Sequence, residues 1–149
     1  MRLEDEIKQY KFEDEYHKLT LNILFTSGWI EMKHIQFFKQ YKLSPQQYNV
    51  LRILRGQFPK PASVNVLMER MLDRTSNASR LVDKLCEKKL TEKKINNNDR
   101  RHVDVVITKE GLNLLEKIDG TFLTIQDAFR KISTSEATTL NELLDKLRH

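Results

Sequence analysis

A short run of polar side chains around residue 77 has the chemistry needed to bind nucleic acid. It contains three hydroxyl groups, one carboxamide and one guanidinium group, carried by Thr75, Ser76, Ser79, Asn77 and Arg80. An asparagine can bond adenine bidentately and an arginine can bond guanine in the same way, while hydroxyl groups can bond phosphates. Other interpretations are open here, because Thr75 and Ser76 can also cap a helix, and Asn77 and Arg80 can lie on a solvated helix surface.

The flanking sequence predicts two short helices joined by a turn. Ser63 favours a helix start, and the residue types over 72–75 favour a break in the chain. A second helix follows, with Leu81, Val82 and Leu85 on its buried side. This outline is typical of a helix-turn-helix, whose second helix enters the major groove with its N-terminal residues against base edges.

The net charge of the chain is concentrated in the same region. The chain has 26 basic and 21 acidic residues, a formal net charge of +5. Residues 70–101 contain ten basic and five acidic residues, so this window holds the whole excess. A solvated basic face is one explanation, and a surface for a polyanion is the other. Within the window, Arg74, Lys93 and Lys94 are candidate phosphate contacts.

The remaining pattern predicts a mainly α fold with a small β-wing. Residues 90–95 and 103–107, separated by an Asn/Asp cluster, indicate a hairpin directly after the second helix. Other helices are predicted over 12–41, from Pro45 to about Gly56, from Lys109 to Ile132 and from Ser133 onward, with a loop over 57–62.

Four segments of the sequence carry a resemblance to a known family. They are Leu43–Leu51 (LSPQQYNVL), Ser79–Leu85 (SRLVDKL), Asp99–Arg101 (DRR) and Ile107–Gly111 (ITKEG). In their order and spacing, over residues 12–148, the chain resembles the MarR family of winged helix-turn-helix transcription regulators. The family usually has glycine at the position of Lys89 and often has one near Leu72, so we expect Lys89 to form its turn by a different geometry.

The resemblance implies a sequence-specific DNA-binding transcription regulator, a repressor, that binds a palindromic operator as a homodimer. Half-sites of such an operator lie about one helical turn apart. It also implies that an arginine at the wing tip, Arg100 or Arg101, enters the minor groove, where a narrow A/T-rich segment attracts a cation. Asp99 would then orient one of these arginines.

The resemblance further implies a single protomer over 1–149, with a winged-helix lobe over 44–108 and dimerisation helices over 1–41 and 109–149. The candidate dimer contacts, for which intrachain core is the alternative, are Leu140, Leu143, Leu144 and Leu147. Family members commonly respond to small aromatic or lipophilic ligands. Trp29, Met32 and Tyr48 are the candidates for such a pocket, although these residue types are also common in plain core.

Several other classes of site receive no support from the sequence. The single cysteine, Cys86, is expected to be a buried inert thiol, and the four histidines are scattered, so we predict no metal site and no cofactor. No nucleophile–base pair or phosphate loop indicates an enzyme. No apolar run suits a membrane, and a cytoplasmic location is expected. The alternative function is a winged-helix protein-interaction module that does not bind DNA.

Overall fold

The computed structural model describes residues 1–95, 103–127 and 129–148. The chain divides into two compact units, Met1–Pro45 and Gln46–His149. Within the described ranges, no helix combines the length and the apolar composition that crossing a membrane would require.

The first unit contains a short helix α1 (Leu3–Ile7), which the sequence did not predict, and a long helix α2 (Glu15–Lys39). Helix α2 begins later than the predicted residue 12, because the carboxylate of Asp14 accepts the N–H of His17 at 2.7 Å and caps the helix there. Lys18 on α2 donates to the carboxylate of Glu4 on α1 at 2.7 Å, which joins the two helices.

Five further helices follow: α3 (Pro45–Gln57), α4 (Val64–Arg70), α5 (Ala78–Glu87), α6 (Lys109–Gln126) and α7 (Thr134–Arg148). Side-chain caps start α4, α6 and α7 close to where the sequence predicted these helices to begin. Ser63 Oγ accepts the N–H of Val66 at 3.3 Å, and Thr108 Oγ1 accepts that of Gly111 at 3.1 Å. Ser133 and Glu136 bond reciprocally, at 3.2 Å and 2.7 Å, in a capping box.

The prediction that α6 extends to Ile132 is wrong. The helix ends at Gln126, and the chain then turns through bonds from Arg130 N–H to Asp127 O and from Ile132 N–H to Phe129 O. Phe129 and Ile132 are exposed, so the apolar spacing that suggested a longer helix does not correspond to a buried face there.

A three-stranded antiparallel sheet has the order β1-β3-β2, with β1 (Ala62–Ser63), β2 (Thr91–Ile95) and β3 (Val103–Ile107). The predicted wing strands are confirmed, with a register that runs from Thr91 opposite Ile107 to Ile95 opposite Val103. The predicted turn between them lies outside the described residues. The prediction of a loop over 57–62 is wrong at Ala62, which pairs with β3 together with Ser63. A strand of two residues is too short to show a periodic pattern in the sequence.

Apolar side chains from these helices and strands form the core of the second unit. The most deeply buried are Val50, Leu51 and Leu54 of α3, Leu67 of α4, Val82 and Leu85 of α5, Val105 and Ile107 of β3, and Leu115 and Ile118 of α6. The predicted fold class, mainly α with a small wing in a winged helix-turn-helix arrangement, is therefore confirmed.

Helix α5 ends in a left-handed turn at Lys89, whose φ is 61°. Lys89 N–H bonds Cys86 O at 2.9 Å, and Leu90 N–H bonds Leu85 O at 3.0 Å, which is the Schellman pattern. The expectation that a non-glycine residue forms this turn differently is wrong. Lys89 adopts the conformation that glycine favours, at a cost of about 1–2 kcal/mol for an L-residue.

The end of α5, the wing and the start of α6 meet at Thr108, in a group of contacts that we name the Thr108 junction. Thr108 N–H donates to Leu90 O at 3.1 Å, and Thr108 Oγ1 donates to Lys89 O at 2.8 Å. Gly111 lies so close that a Cβ there would overlap Leu90 O and approach Ile107 Cγ1 to 2.7 Å. The junction therefore fixes the direction in which α6 leaves the wing.

We expect Gly111→Ala to lower the free energy of unfolding by about 1–3 kcal/mol, since the added methyl group meets backbone rather than a flexible side chain. Urea denaturation measures this change. The matched control is Gly120→Ala in the same helix, where a Cβ has nothing within 4 Å and the exchange should stabilise by about 0.5–1 kcal/mol. Equal stability of Gly111→Ala and the parent would contradict the close approach.

Candidate nucleic-acid interface

Helix α5 presents a polar face to solvent and an apolar face to the core. Ala78, Val82 and Leu85 are buried. The side chains of Ser79, Arg80, Asp83 and Lys84 are exposed. The guanidinium of Arg80 has no ion pair among the described residues. The structure therefore leaves the predicted contact residues of this helix accessible to a large ligand.

Asn77 caps α5, and this corrects the interpretation in which Thr75 and Ser76 are the caps. Asn77 Oδ1 accepts the N–H of Arg80 at 3.0 Å. The hydroxyl groups of Thr75 and Ser76 instead donate to the carboxylate of Asp73, both at 2.6 Å, and Thr75 N–H donates to it at 2.9 Å. Asp73 therefore organises the turn that leads into α5.

The same hydrogen bonds hold Asp73 in its charged form. The Ser76 and Thr75 hydroxyl groups and the Thr75 N–H lower the pKa of Asp73 from 3.8 to about 2, with a smaller contribution from Gln46. From the sequence, Asp73 is one of the residues over 72–75 that favour a break in the chain. Its position two and three residues before Thr75 and Ser76 is the signal that could have revealed the network.

An ion pair connects α5 to the wing. Lys93 Nζ on β2 donates to the carboxylate of Asp83 on α5, and this bond raises the pKa of Lys93. Lys93 is a predicted phosphate contact, and the structure shows that its ammonium group already bonds a carboxylate of the same chain. Asp83 had no role in the sequence-based site.

Helix α5 is also tied to α3. Lys88 Nζ donates to Oε1 of the buried Gln47 at 3.0 Å, and partial burial followed by the charge of Lys84 lowers the pKa of Lys88. The turn before α5 is held by Leu72 N–H, which donates to Asn49 Oδ1 at 3.0 Å. The neighbouring helix therefore positions both ends of the turn–α5 segment.

The basic side chains of residues 70–95 are all exposed. They are Arg70, Arg74, Arg80, Lys84, Lys88, Lys89, Lys93 and Lys94. Four acidic residues share this stretch, and Asp73 and Asp83 are two of them. The predicted wing-tip residues Asp99, Arg100 and Arg101 lie outside the described residues.

The predicted dimer residues are largely unburied within this chain. Leu140, Leu143 and Leu147 on α7 are 48%, 58% and 59% exposed, and Leu144 is half-buried. The interpretation of these residues as intrachain core is therefore wrong for Leu140, Leu143 and Leu147.

The candidate pocket residues are divided between the two units. Trp29 and Met32 lie on α2 in the first unit, where Trp29 is half-buried and Met32 is exposed. Tyr48 lies on α3 in the second unit, where it is buried and its hydroxyl accepts from Arg52 at 3.1 Å. The pocket stays a prediction.

The thiol of Cys86 lies at the C-terminal end of α5. The expectation that this thiol is buried is wrong, because the side chain is half-buried, with Sγ 3.3 Å from Thr91 Oγ1. Across the described ranges, no three His, Cys, Asp or Glu side chains group in a way that could hold a metal ion.

Comparisons with known proteins agree with this geometry. The model of the MarR family matches residues 41–102. A MarR-like transcription regulator from Bacillus cereus is 21% identical, with a TM-score of 0.80 over 90% of this chain and 96% of that one. A MarR transcription factor from Planctomyces limnophilus is 26% identical, with a TM-score of 0.69 over 93% and 98%. An E. coli MarR mutant complexed with operator DNA is 20% identical, with a TM-score of 0.78 over 93% and 99%. None of the curated protein sequences matches significantly.

The pKa of Asp73 gives a pH dependence of stability. A carboxyl group whose pKa is lower in the folded than in the unfolded state stabilises the fold above about pH 4, and the contribution is lost as the pH falls toward 2. We expect the difference in unfolding free energy between the parent and Asp73→Asn to be largest near neutral pH and to shrink between pH 4 and pH 2. Chemical denaturation across this range measures it, and a difference independent of pH would contradict the network.

Proposed function

We propose that the chain is a sequence-specific DNA-binding transcription regulator of the MarR family, whose model matches its residues 41–102. In this proposal the protein acts as a repressor and binds a palindromic operator as a homodimer. The winged-helix lobe, residues 44–108, contacts DNA, and helices from 1–41 and 109–149 form the dimer. Operator binding by a structural neighbour supports the proposal by analogy.

The exposed charge of α5 and β2 is the observation that carries the proposal. Eight exposed basic residues and four acidic ones occupy 70–95, and two of the acidic groups are hydrogen-bonded within the chain, Asp73 to hydroxyl groups and Asp83 to Lys93. A surface of this kind attracts the phosphate backbone of a duplex and releases its counterions. A module that binds only proteins would not need this charge on the helix that suits the major groove.

Two side chains at the start of α5 suit base readout. Arg80 is exposed, and its guanidinium can bond guanine O6 and N7. The cap uses one lone pair of Asn77 Oδ1, and a carboxamide oxygen has two. Asn77 can therefore cap the helix and still bond adenine, so we retain both residues as base contacts, with Arg74, Lys93 and Lys94 as phosphate contacts.

The exposed leucines of α7 support the dimer. An apolar stripe on a helix needs a covering surface, and Leu140, Leu143 and Leu147 leave about half of their surface exposed within this chain. Helix α2 in the other unit also exposes apolar side chains, among them Leu24, Met32 and Ile35. We propose that a second copy of the chain covers these surfaces, since a two-fold dimer matches a palindromic operator.

We also propose that a small aromatic or lipophilic ligand releases the protein from its operator. Trp29, Met32 and Tyr48 remain its candidate contacts. The competing function is a winged-helix module that binds only proteins. Binding of a DNA duplex by the purified chain would exclude it.

Arg80→Ala and Lys93→Ala should affect DNA binding differently. Loss of a guanine contact should cost about 1–3 kcal/mol on the preferred sequence and relax the preference at one position, whereas loss of a phosphate contact should weaken binding to all duplexes and lower the salt slope by about 1. Fluorescence anisotropy at several salt concentrations measures both effects. The control is Lys117→Ala on α6, outside the basic segment, which should bind like the parent. Parent-like binding by both test variants would refute this docking.

A chain truncated before Ser133 should lose self-association. Sedimentation equilibrium should then give the mass of one truncated chain rather than two. As a full-length test, Leu143→Glu with Leu147→Glu should also dissociate the dimer, because each substitution places a charge on the apolar stripe. Thr139→Glu, at an exposed position of the same helix, should leave the mass unchanged. A truncated chain that still sediments with the mass of two copies would refute the role of α7.

A further inference from the structure

We infer that Asp73 makes Thr75 and Ser76 hydrogen-bond acceptors toward DNA, so that they contact the exocyclic amino groups of adenine or cytosine rather than phosphates. This inference rests on the proposed function and adds a determinant of sequence preference to it. Asp73 touches no base in this scheme. It acts as a positioning residue for the two hydroxyl groups.

The direction of the hydrogen bonds follows from the geometry of the turn. Thr75 Oγ1 lies 2.6 Å from Asp73 Oδ1, and Ser76 Oγ lies 2.6 Å from Asp73 Oδ2. A carboxylate can only accept, so each hydroxyl must be the donor. The distances are those of strong charge-assisted bonds. Thr75 N–H also donates to Oδ1, at 2.9 Å, so the carboxylate is held on both oxygens.

A hydroxyl group whose proton is used in this way has only lone pairs to offer a second partner. Phosphate oxygens are acceptors, as are guanine O6 and N7, adenine N7 and thymine O4 in the major groove. Contact between two acceptors is unfavourable. The donors of the major groove are the N6 amino group of adenine and the N4 amino group of cytosine, and these complement Thr75 and Ser76.

The effect of the Asp73 charge on affinity can be measured separately from its effect on base preference. A carboxylate near the phosphate backbone weakens binding to every duplex, so its removal alone should strengthen binding. If Asp73 also orients the hydroxyl protons, its removal should reduce the discrimination between bases. Asp73→Asn should therefore raise the affinity for nonspecific duplexes and lower the preference for one base over another.

Asp83 provides a matched control on the same surface. It is exposed on α5 and bonds Lys93, and none of the hydroxyl bonds of the turn involves it. Asp83→Asn removes the same charge and should strengthen binding to all duplexes. The base preference should stay the same, since the hydrogen bonds among Asp73, Thr75 and Ser76 are intact.

The experiment uses the full chain and begins with selection from a random-sequence duplex pool. At each preferred adenine or cytosine, the base is then replaced by an analogue that lacks the exocyclic amino group, purine or 2-pyrimidinone. For the parent and Asp83→Asn, we expect one or two such replacements to weaken binding by about 5- to 100-fold. For Asp73→Asn the fold-weakening caused by the same replacements should fall to less than half of the parent value. Its binding to the unselected pool should be tighter than that of the parent.

A second variant protects the test against misfolding of Asp73→Asn. Thr75→Val keeps the shape of the side chain, removes the acceptor oxygen and leaves Asp73 in place, so it should lose the amino-group penalty at its own position. An undiminished penalty in both variants, or a parent with no amino-group penalty at any position, would overturn the inference alone. A parent that binds no duplex would overturn the proposed function as well.

Discussion

The positions of the end of α5, the wing strands and the start of α6 depend on the Thr108 junction. Leu90 O accepts the N–H of Thr108, and Leu90 N–H closes the end of α5 on Leu85. The absence of a side chain at Gly111 permits this approach, because a Cβ would overlap the same carbonyl oxygen. One short stretch of backbone thus determines where α5 stops, where the wing begins and where α6 departs. A bidentate pair of Arg55 with Asp119, at 2.5 and 3.4 Å, fixes α6 again on α3.

With its end fixed, α5 can present charge and hydrogen-bonding groups in a defined geometry. The core side takes Val82 and Leu85, while the solvent side holds Arg80 beside an ion pair between Asp83 and Lys93 that joins helix to wing. At the other end, Asp73 orders the entry turn through Ser76 and Thr75. Basic groups supply affinity for a polyanion, and the oriented polar groups supply discrimination, which are separate physical contributions to DNA recognition.

Local signals in the sequence predicted most of the fold. Ser63, Thr108 and the Ser133–Glu136 pair cap helices through neighbours within three residues, and Val103, Val105 and Ile107 alternate with other residues along β3. Features that depend on distant partners were missed. The strand β1 exists only because β3 pairs with it, and the carbonyl of the left-handed Lys89 accepts from Thr108 Oγ1, 19 residues along the chain. The pairing of Asp83 with Lys93 needs a helix and a strand brought together by the core, which spacing along the chain does not reveal.

Hydrogen exchange of the full chain, alone and with a saturating duplex selected from a random pool, tests the central claim most directly. The account predicts slower amide exchange over the turn and start of α5 and along β2 and β3, because these segments form one DNA-facing surface held by the Thr108 junction. Helix α7 should exchange at the same rate in both states, since its exposed leucines are assigned to the dimer. Binding without protection of α5 and the wing strands, or no binding to any duplex, would contradict the account.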